Sequence, residues 1–586
     1  LIPDIILTKT NDSYRRCDCN CCTMHNCFMF FKPLCRKSTI GLWNNLKLST
    51  SSLAFIRHED TFQHRILKMF NKCKKFLTWD LGKSNIPPTN YSMEVNKVKH
   101  LNLEEIADIM WTSKEVGILS YKLIMKLDVE IGKKISSGIV HKNDVLPLIQ
   151  CFAIIIPSRL TSTLTYKNAI SLLLKNPPVL LHQKLQAMYY ASLAKKRNES
   201  RKLVLMLFKR ISLEELRELS TLELGILCIS LFQSSIPIID VNFLRYLADK
   251  IKADLNNLIN NDELYIFISL VKCLRYSRYY DDLFKYITDL NDEVFTNMPL
   301  RSKIHLAIYF CDARYNDIVF VSKLIKMSLR EINEKLKNCE NIRLKDIDNI
   351  LWCARQYCLS EITEEIDKSL IPNYIFRLAN EGPKGNIITI LHSFLSLWIL
   401  DSQKKEEIIS FITKKNIRVT DVAENFKDES RISLLLSCCN IEGEKFSIGK
   451  PLFSITKRQE TSFTHHVAVR PKFAKVLQYL LHKGHLLNLR NVKFSYPVPC
   501  LYIASITALH SSVLINFEVI DEFVCLRNSQ HLHGEMKLKL RLLRKLQIPT
   551  FIVNLSEQQP TNDVLKRTFE ELSHNFPKNK SFSSPD

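Results

Sequence analysis

Glycine and proline are scarce, at 12 and 20 of 586 residues. So few turn residues cannot serve many short strands, which sets aside sandwiches and barrels as the main architecture and favours long helices joined by short loops. No run of about 20 apolar residues occurs, the length a membrane-crossing helix needs. The most apolar stretch, Val145 to Ile156, is broken by Pro147 and Gln150. A glycine-rich phosphate loop, a His-Arg-Asp loop, an Asp-Phe-Gly site and a Walker-type Gly-x-x-x-x-Gly-Lys-Ser/Thr loop are all missing, which argues against kinase and P-loop chemistry.

What the chain does have is apolar mass and positive charge. With 46% hydrophobic residues it can bury a large core, and its length calls for several folding units or an extended array. Lys and Arg number 82 against 60 Asp and Glu, a formal charge of +22. That balance favours polyanionic partners, nucleic acid or an anionic membrane surface. The 18 cysteines do not form a disulfide framework: Cys151, Cys228, Cys273, Cys311, Cys353 and Cys438 lie inside apolar helical stretches, where thiols behave as small hydrophobes. This pattern implies a reducing compartment. Cys17, Cys19, Cys21, Cys22 and Cys27 are one candidate metal cluster, but their spacing is irregular and no downstream pair completes a tetrahedral set. No metal and no cofactor are expected.

The chain starts at Leu1, and Met24 is a candidate true start. From Met24 the segment carries Lys32, Arg36, Lys37, Lys47 and Arg57, is rich in Ser and apolar residues, and has no acid until Glu59. This is the composition of a mitochondrial transit peptide, with a basic tail as the plainer alternative. Residues 1–60 are read as leader.

Between about 97 and 440 the pattern is helix after helix. One triplet with spacing i, i+4, i+7 recurs as Ile106/Met110/Ser113, Val145/Ile149/Phe152, Leu185/Tyr189/Ser192, Leu224/Cys228/Leu231, Leu264/Ile268/Val271, Ile304/Ile308/Cys311, Ile347/Leu351/Ala354, Ile387/Leu391/Phe394 and Ile432/Leu436/Cys439. Successive triplets start 39 to 45 residues apart. Each lines one helix face, and the interval suits two-helix units stacking into an α-solenoid, a surface for single-stranded RNA or equally for proteins. Ser212, three residues before Glu215, and Thr221 are expected N-caps.

Residues 441–510 read as a basic connector. From Thr456 to Pro497 there are Lys457, Arg458, Arg470, Lys472, Lys475, Lys483, Arg490 and Lys493 against the single acid Glu460, with Phe463, Phe473, Tyr479, Phe494 and Tyr496 interleaved. Such a mixture can hold phosphates and stack bases; alternatively Phe473, Leu477 and Leu480 are the core stripe of a helix with the lysines on its wet face. His465, His466, His482 and His485 have no Cys or Asp at ligand or triad spacing.

In residues 511–570 the period changes. VLINFEVIDEF reads as a strand, CLRNSQHLHG as a turn, EMKLKLRLLRKL as a helix with Leu538, Leu542 and Leu546 on one face, and TFIVNL as a second strand that could pair in parallel with the first. Residues 571–586 read as a disordered tail. The ordered set Glu518-Val519, Leu526-Arg527-Asn528, Gly534, Leu538-Lys539, Arg541-Leu542-Leu543 and Phe551-Ile552-Val553 resembles a RAP domain. A long helical array before such a module is similar to the FAST-kinase-domain family of animal mitochondria. That resemblance covers about 50 residues. It implies a mainly α protein, an α-solenoid of helical hairpins with a small C-terminal α/β RAP domain of restriction-endonuclease-like fold. It also implies RNA binding in the mitochondrial matrix, with roles in maturation, stability or translation of mitochondrial transcripts, and RNA-granule or mitoribosome proteins as further partners.

The expected RNA contacts are Lys457, Arg458, Arg470, Lys472 and Lys475 in the connector, and Arg527, Lys537, Lys539, Arg541, Arg544 and Lys545 in the RAP-like module. Enzymatic activity is less expected. RAP domains resemble nucleases that hold a metal on strand-end acids, but here Ile520 stands in place of the Asp and Asp521 in place of the Gly. Glu518 and a shifted Asp521, with Lys537 or Lys539 assisting, are the candidates for a metal-dependent cut. The plainer account makes Glu518 a strand-end carboxylate paired with Arg541 or Lys539.

Overall fold

The computed structural model describes residues 121–555, with short breaks at 143, 157–158, 195–196, 261–263, 281–282, 383–385, 424, 444–469 and 511, together with 566, 567 and 570. The leader, the cysteine cluster, the triplet Ile106/Met110/Ser113, Lys457, Arg458 and the C-terminal tail lie outside the described residues. The fold is mostly helical with a small C-terminal four-stranded mixed sheet. No described helix is long and apolar enough to cross a membrane.

The chain divides after Leu290 into two compact units. The first contains α1 (Tyr121–Ser136), α2 (Val145–Ile155), α3 (Leu164–Lys175), α4 (Leu181–Ser192), α5 (Asn198–Phe208), α6 (Leu213–Arg217), α7 (Thr221–Gln233), α8 (Val241–Asn260), α9 (Leu264–Tyr276) and α10 (Leu283–Thr288). Helices α2, α4, α7 and α9 carry successive triplets, and each packs on the next. The triplet side chains are buried throughout, from Val145/Ile149/Phe152 to Leu264/Ile268/Val271. Burying a side chain of this size stabilises by about 1.5–3 kcal/mol, so these faces hold the stack together.

Polar bonds also join helices of successive pairs. Gln186 donates to Gln150 over 36 residues, and Tyr286 to the Lys252 carbonyl over 34. The buried Asp128 of α1 accepts from the backbone N–H groups of Leu164 and Thr165, satisfying the otherwise orphaned start of α3. Ser212 caps α6 in a reciprocal capping box with Glu215. The cap of α7 is Ser220 with Glu223, not Thr221, which is the first helical residue. A capping box needs the acid three residues on, and Glu223 meets that condition for Ser220 alone.

The second unit contains α11 (Asp292–Asn297), α12 (Leu300–Asp312), α13 (Ile318–Lys337), α14 (Leu344–Tyr357), α15 (Ser360–Lys368), α16 (Ile371–Glu381), α17 (Ile387–Ile399), α18 (Lys405–Lys415), α19 (Val419–Val422), α20 (Phe426–Glu442) and α21 (Pro471–Lys483). After these come β1 (Leu489–Ser495), β2 (Ser505–His510), β3 (Val513–Ile520), α22 (Gly534–Lys545) and β4 (Thr550–Asn554). Helices α12, α14, α17 and α20 again carry the triplets and pack in series. Tyr357 donates to the Tyr315 carbonyl over 42 residues, and Trp398 Nε1 to Glu442 over 44.

The sheet order is β1-β2-β3-β4. β1, β2 and β3 are antiparallel, while β4 joins β3 in parallel, Phe517 opposite Phe551, after the α22 crossover. Phe473, Val476, Leu477 and Leu480 of α21 pack on one sheet face, against Ile506, Ala508, Ile515, Phe517 and Val519. β1 and β2 lie upstream of residue 511, inside the stretch read as connector. The register of β1 slips between Arg490 and Lys493, and Asn491 takes a φ of +53°, so its alternation is interrupted by a bulge.

Candidate nucleic-acid interface

The cations singled out from sequence fall into three environments. Arg470 and Lys539 are in the interior. Arg470 immediately precedes α21; its Nε donates to Asp521 Oδ2 at 2.9 Å, its Nη2 to the Val519 carbonyl at 2.9 Å, and its guanidinium lies between the rings of Phe473 and Phe523. Lys539 projects from α22 onto the polar sheet face, where Nζ donates to Glu518 Oε2 at 2.7 Å, Ser505 Oγ at 2.5 Å and the Ala504 carbonyl at 3.2 Å. Burial pulls the Lys539 ammonium down to about 8, more than Glu518 holds it up. Expecting these two side chains to contact RNA is corrected by their burial: a solvated phosphate chain cannot reach them.

The carboxylates are engaged as fully. Glu518 Oε1 accepts from Ser505 Oγ at 2.5 Å and Asn516 Nδ2 at 2.8 Å, in addition to the lysine on Oε2. Asp521 Oδ1 accepts from the Phe523 N–H at 3.1 Å while Oδ2 takes Arg470. Of the two pairings weighed for Glu518, the one formed is with Lys539. A divalent ion would have to displace these donors, and among the described residues no group of three or more His, Cys, Asp or Glu is placed to hold one.

A second group is tied to the helices beneath the sheet module. Lys537 Nζ caps the end of α14, donating to the carbonyls of Tyr357 at 3.3 Å and Cys358 at 3.1 Å. Arg541 reaches Glu442 at 2.7 Å, the Trp398 carbonyl at 2.7 Å and Asp401 at 3.2 Å. Glu442 also receives Trp398 Nε1 at 2.8 Å and Lys405 Nζ at 3.0 Å, so one carboxylate joins α17, α18, α20 and α22. Gly534 begins α22 so close to α14 that a Cβ there would stand 1.7 Å from the Arg355 carbonyl oxygen. Beside it His533 Nδ1 accepts from the Met536 N–H; burial, with Arg314, Arg470 and Arg355 nearby, keeps that imidazole well below its usual pKa. Sequence reading did not single out Glu442 or Arg355, whose roles depend on distant partners, nor His533, whose cap to Met536 is local but whose residue type is not among the usual N-caps.

Lys537, Leu540, Arg541 and Arg544, one face of α22, line a cleft of about 680 Å³ whose other wall includes Thr363, Glu364 and Asp367. Its acids are matched internally: Glu364 with Lys368, Asp367 with Ser402 and the Gln403 N–H, Asp401 with Lys405 and Arg541.

The third group is at the surface. Lys475, Arg527, Arg544 and Lys545 are exposed, and Lys472 is partly exposed while bonded to Glu522 and the Leu555 carbonyl. Lys483, Arg490 and Lys493 are exposed as well. Compared with models of known families and with curated proteins, the chain matches none.

Proposed function

We propose that this chain is an RNA-binding protein of the type the FAST-kinase-domain resemblance implies. In this reading its helix pairs form an α-solenoid, its C-terminal sheet module is a RAP-like cap, and it acts in the mitochondrial matrix on the processing, stability or translation of organellar transcripts. The observation that carries the reading is the β3–α22–β4 unit. Strand, turn with Leu526-Arg527-Asn528, Gly534, basic helix and parallel strand follow in the order the RAP pattern requires, and the unit is seated on α14, α17 and α20. The charge of +22 supplies the attraction for a polyanion.

The test is titration of the full chain with labelled single-stranded RNA across a range of salt. Binding should weaken linearly on logarithmic axes, with a slope of about 0.7 per phosphate neutralised. Binding that ignores salt, or none at low ionic strength, overturns the proposal. Copurification of the same proteins before and after ribonuclease treatment, without RNA affinity, would identify a protein scaffold instead. A nuclease role gains no support from Glu518 and Asp521, whose oxygens are already occupied.

A further inference from the structure

From Thr461 to Phe517 the sequence contains no Asp or Glu. Folding sorts the cations of that stretch. Arg470 goes inside and Lys472 binds Glu522, whereas Lys475, Lys483, Arg490 and Lys493 are left on the surface. In the rest of the module Lys537, Lys539 and Arg541 are bonded within the fold, while Arg527, Arg544 and Lys545 are exposed. Among the described residues, four exposed cations with no acid in the same stretch of sequence therefore lie where α21 turns into β1.

That place has a definite geometry. Phe473, Val476, Leu477 and Leu480 fix one side of α21 to the sheet, which leaves Lys475, His482 and Lys483 outward. The short turn Gly484–Leu487 brings the chain back against α21 and into β1, with His485, Asn488, Arg490, Asn491 and Lys493 exposed along it. Among the described residues β1 is one of the two edge strands of the sheet, so the peptide groups on its far side face away from the ladder. Leu481 and Leu486 stand exposed among the charges.

We infer that this rim, the outward side of α21 and the open edge of β1, is where a single RNA strand docks; the inference rests on the RNA-binding reading above. Lys475 and Lys483 on α21, and Arg490 and Lys493 on the sheet face opposite α21, hold phosphates by charge on the two sides of this edge. The asparagines and the outward peptide groups of the strand present donors and acceptors to 2′-hydroxyls and base edges. A narrow edge with interleaved polar and apolar groups fits an extended strand better than a membrane, which a broad flat face serves best. Of the α22 cations, Lys537, Lys539 and Arg541 play a structural part, and Arg544 and Lys545 remain exposed.

The experiment compares two variants of the full chain, each lacking four exposed cations. One carries Lys475→Gln, Lys483→Gln, Arg490→Gln and Lys493→Gln; the other carries Lys202→Gln, Lys209→Gln, Lys414→Gln and Lys415→Gln, all exposed. Matched thermal melts establish that both fold. The rim variant should lose at least about tenfold in affinity for single-stranded RNA, with the salt slope lowered by about 2.8, four phosphates at 0.7 each. The control should stay within about threefold of the unaltered protein. Equal losses in the two variants overturn the rim while leaving RNA binding intact. An unaltered chain that binds no RNA overturns the functional reading and the rim together. Rim-dependent binding to phosphatidylserine vesicles in the absence of RNA binding assigns the surface to a membrane and overturns it too.

Discussion

Lys539 Nζ lies 2.7 Å from Glu518 Oε2 with both side chains sealed from solvent, so α22 is joined to the C-terminal half of β3 by charge. Removing one partner leaves the other buried and uncompensated. Lys539→Met is expected to destabilise by about 3–5 kcal/mol, whereas Lys539→Met together with Glu518→Gln, which keeps an acceptor for Ser505 and Asn516, should cost clearly less. Urea denaturation of the three proteins measures this. A double variant no more stable than the single one contradicts it.

Glu442 gathers Arg541, Trp398 and Lys405 on one carboxylate. Both cations are partly exposed and can regain water, which reduces the penalty of losing their acceptor. Glu442→Ala is expected to cost about 1–3 kcal/mol and to change the emission of Trp398, with Glu442→Gln milder. Tryptophan fluorescence followed through a urea titration reads both effects; an unchanged midpoint for the alanine variant counts against this hub.

The approach of Gly534 to the Arg355 carbonyl leaves no room for a methyl group. Because the obstacle is backbone, Gly534→Ala should push α22 away from α14 and destabilise by about 1–3 kcal/mol. Amide exchange in residues 513–554 should quicken, β3 and β4 included. Undisturbed protection there is the contrary result.

His533 stays neutral in the folded protein because burial and three neighbouring guanidinium groups oppose its charge. The unfolded chain, with an ordinary imidazole pKa of about 6.5, takes up a proton below that pH which the folded chain does not. This contribution therefore leaves stability unaffected at higher pH and lowers it as pH falls through about 6.5, by up to about 1.4 kcal/mol per unit. His533→Asn, which keeps a capping acceptor for α22, should flatten the acid side of a stability-against-pH curve. Unfolding free energies on either side of pH 6.5 test the sign: a variant as acid-sensitive as the parent removes His533 from the explanation.

How much of this was legible depended on the reach of each signal. The triplets were readable because a helix face is a local pattern, and of the described ones only Ile387 is less than fully buried. The β3–α22–β4 unit was readable from its change of period, and its parallel pairing from the crossover helix. β1 and β2 were missed because the bulge at Arg490 to Lys493 breaks the alternation that marks a strand, and because basic residues there look like a linker. Arg470 and Lys539 were misplaced for a related reason: residue type assigns Arg and Lys to the surface, and what draws these two inside are Asp521 and Glu518, 51 and 21 residues away. The surface that remains is visible only after such partners have been subtracted.

The bulge in β1 bears on more than register. An uninterrupted outer strand invites a strand from another molecule to extend the sheet, the first step towards aggregation. Here Asn491 at positive φ disrupts the repeat of peptide groups, and Arg490 and Lys493 would set like charges side by side in any such dimer. The irregularity thus works against edge-to-edge pairing, and straightening it by deletion of Asn491 is expected to raise self-association, as light scattering would show.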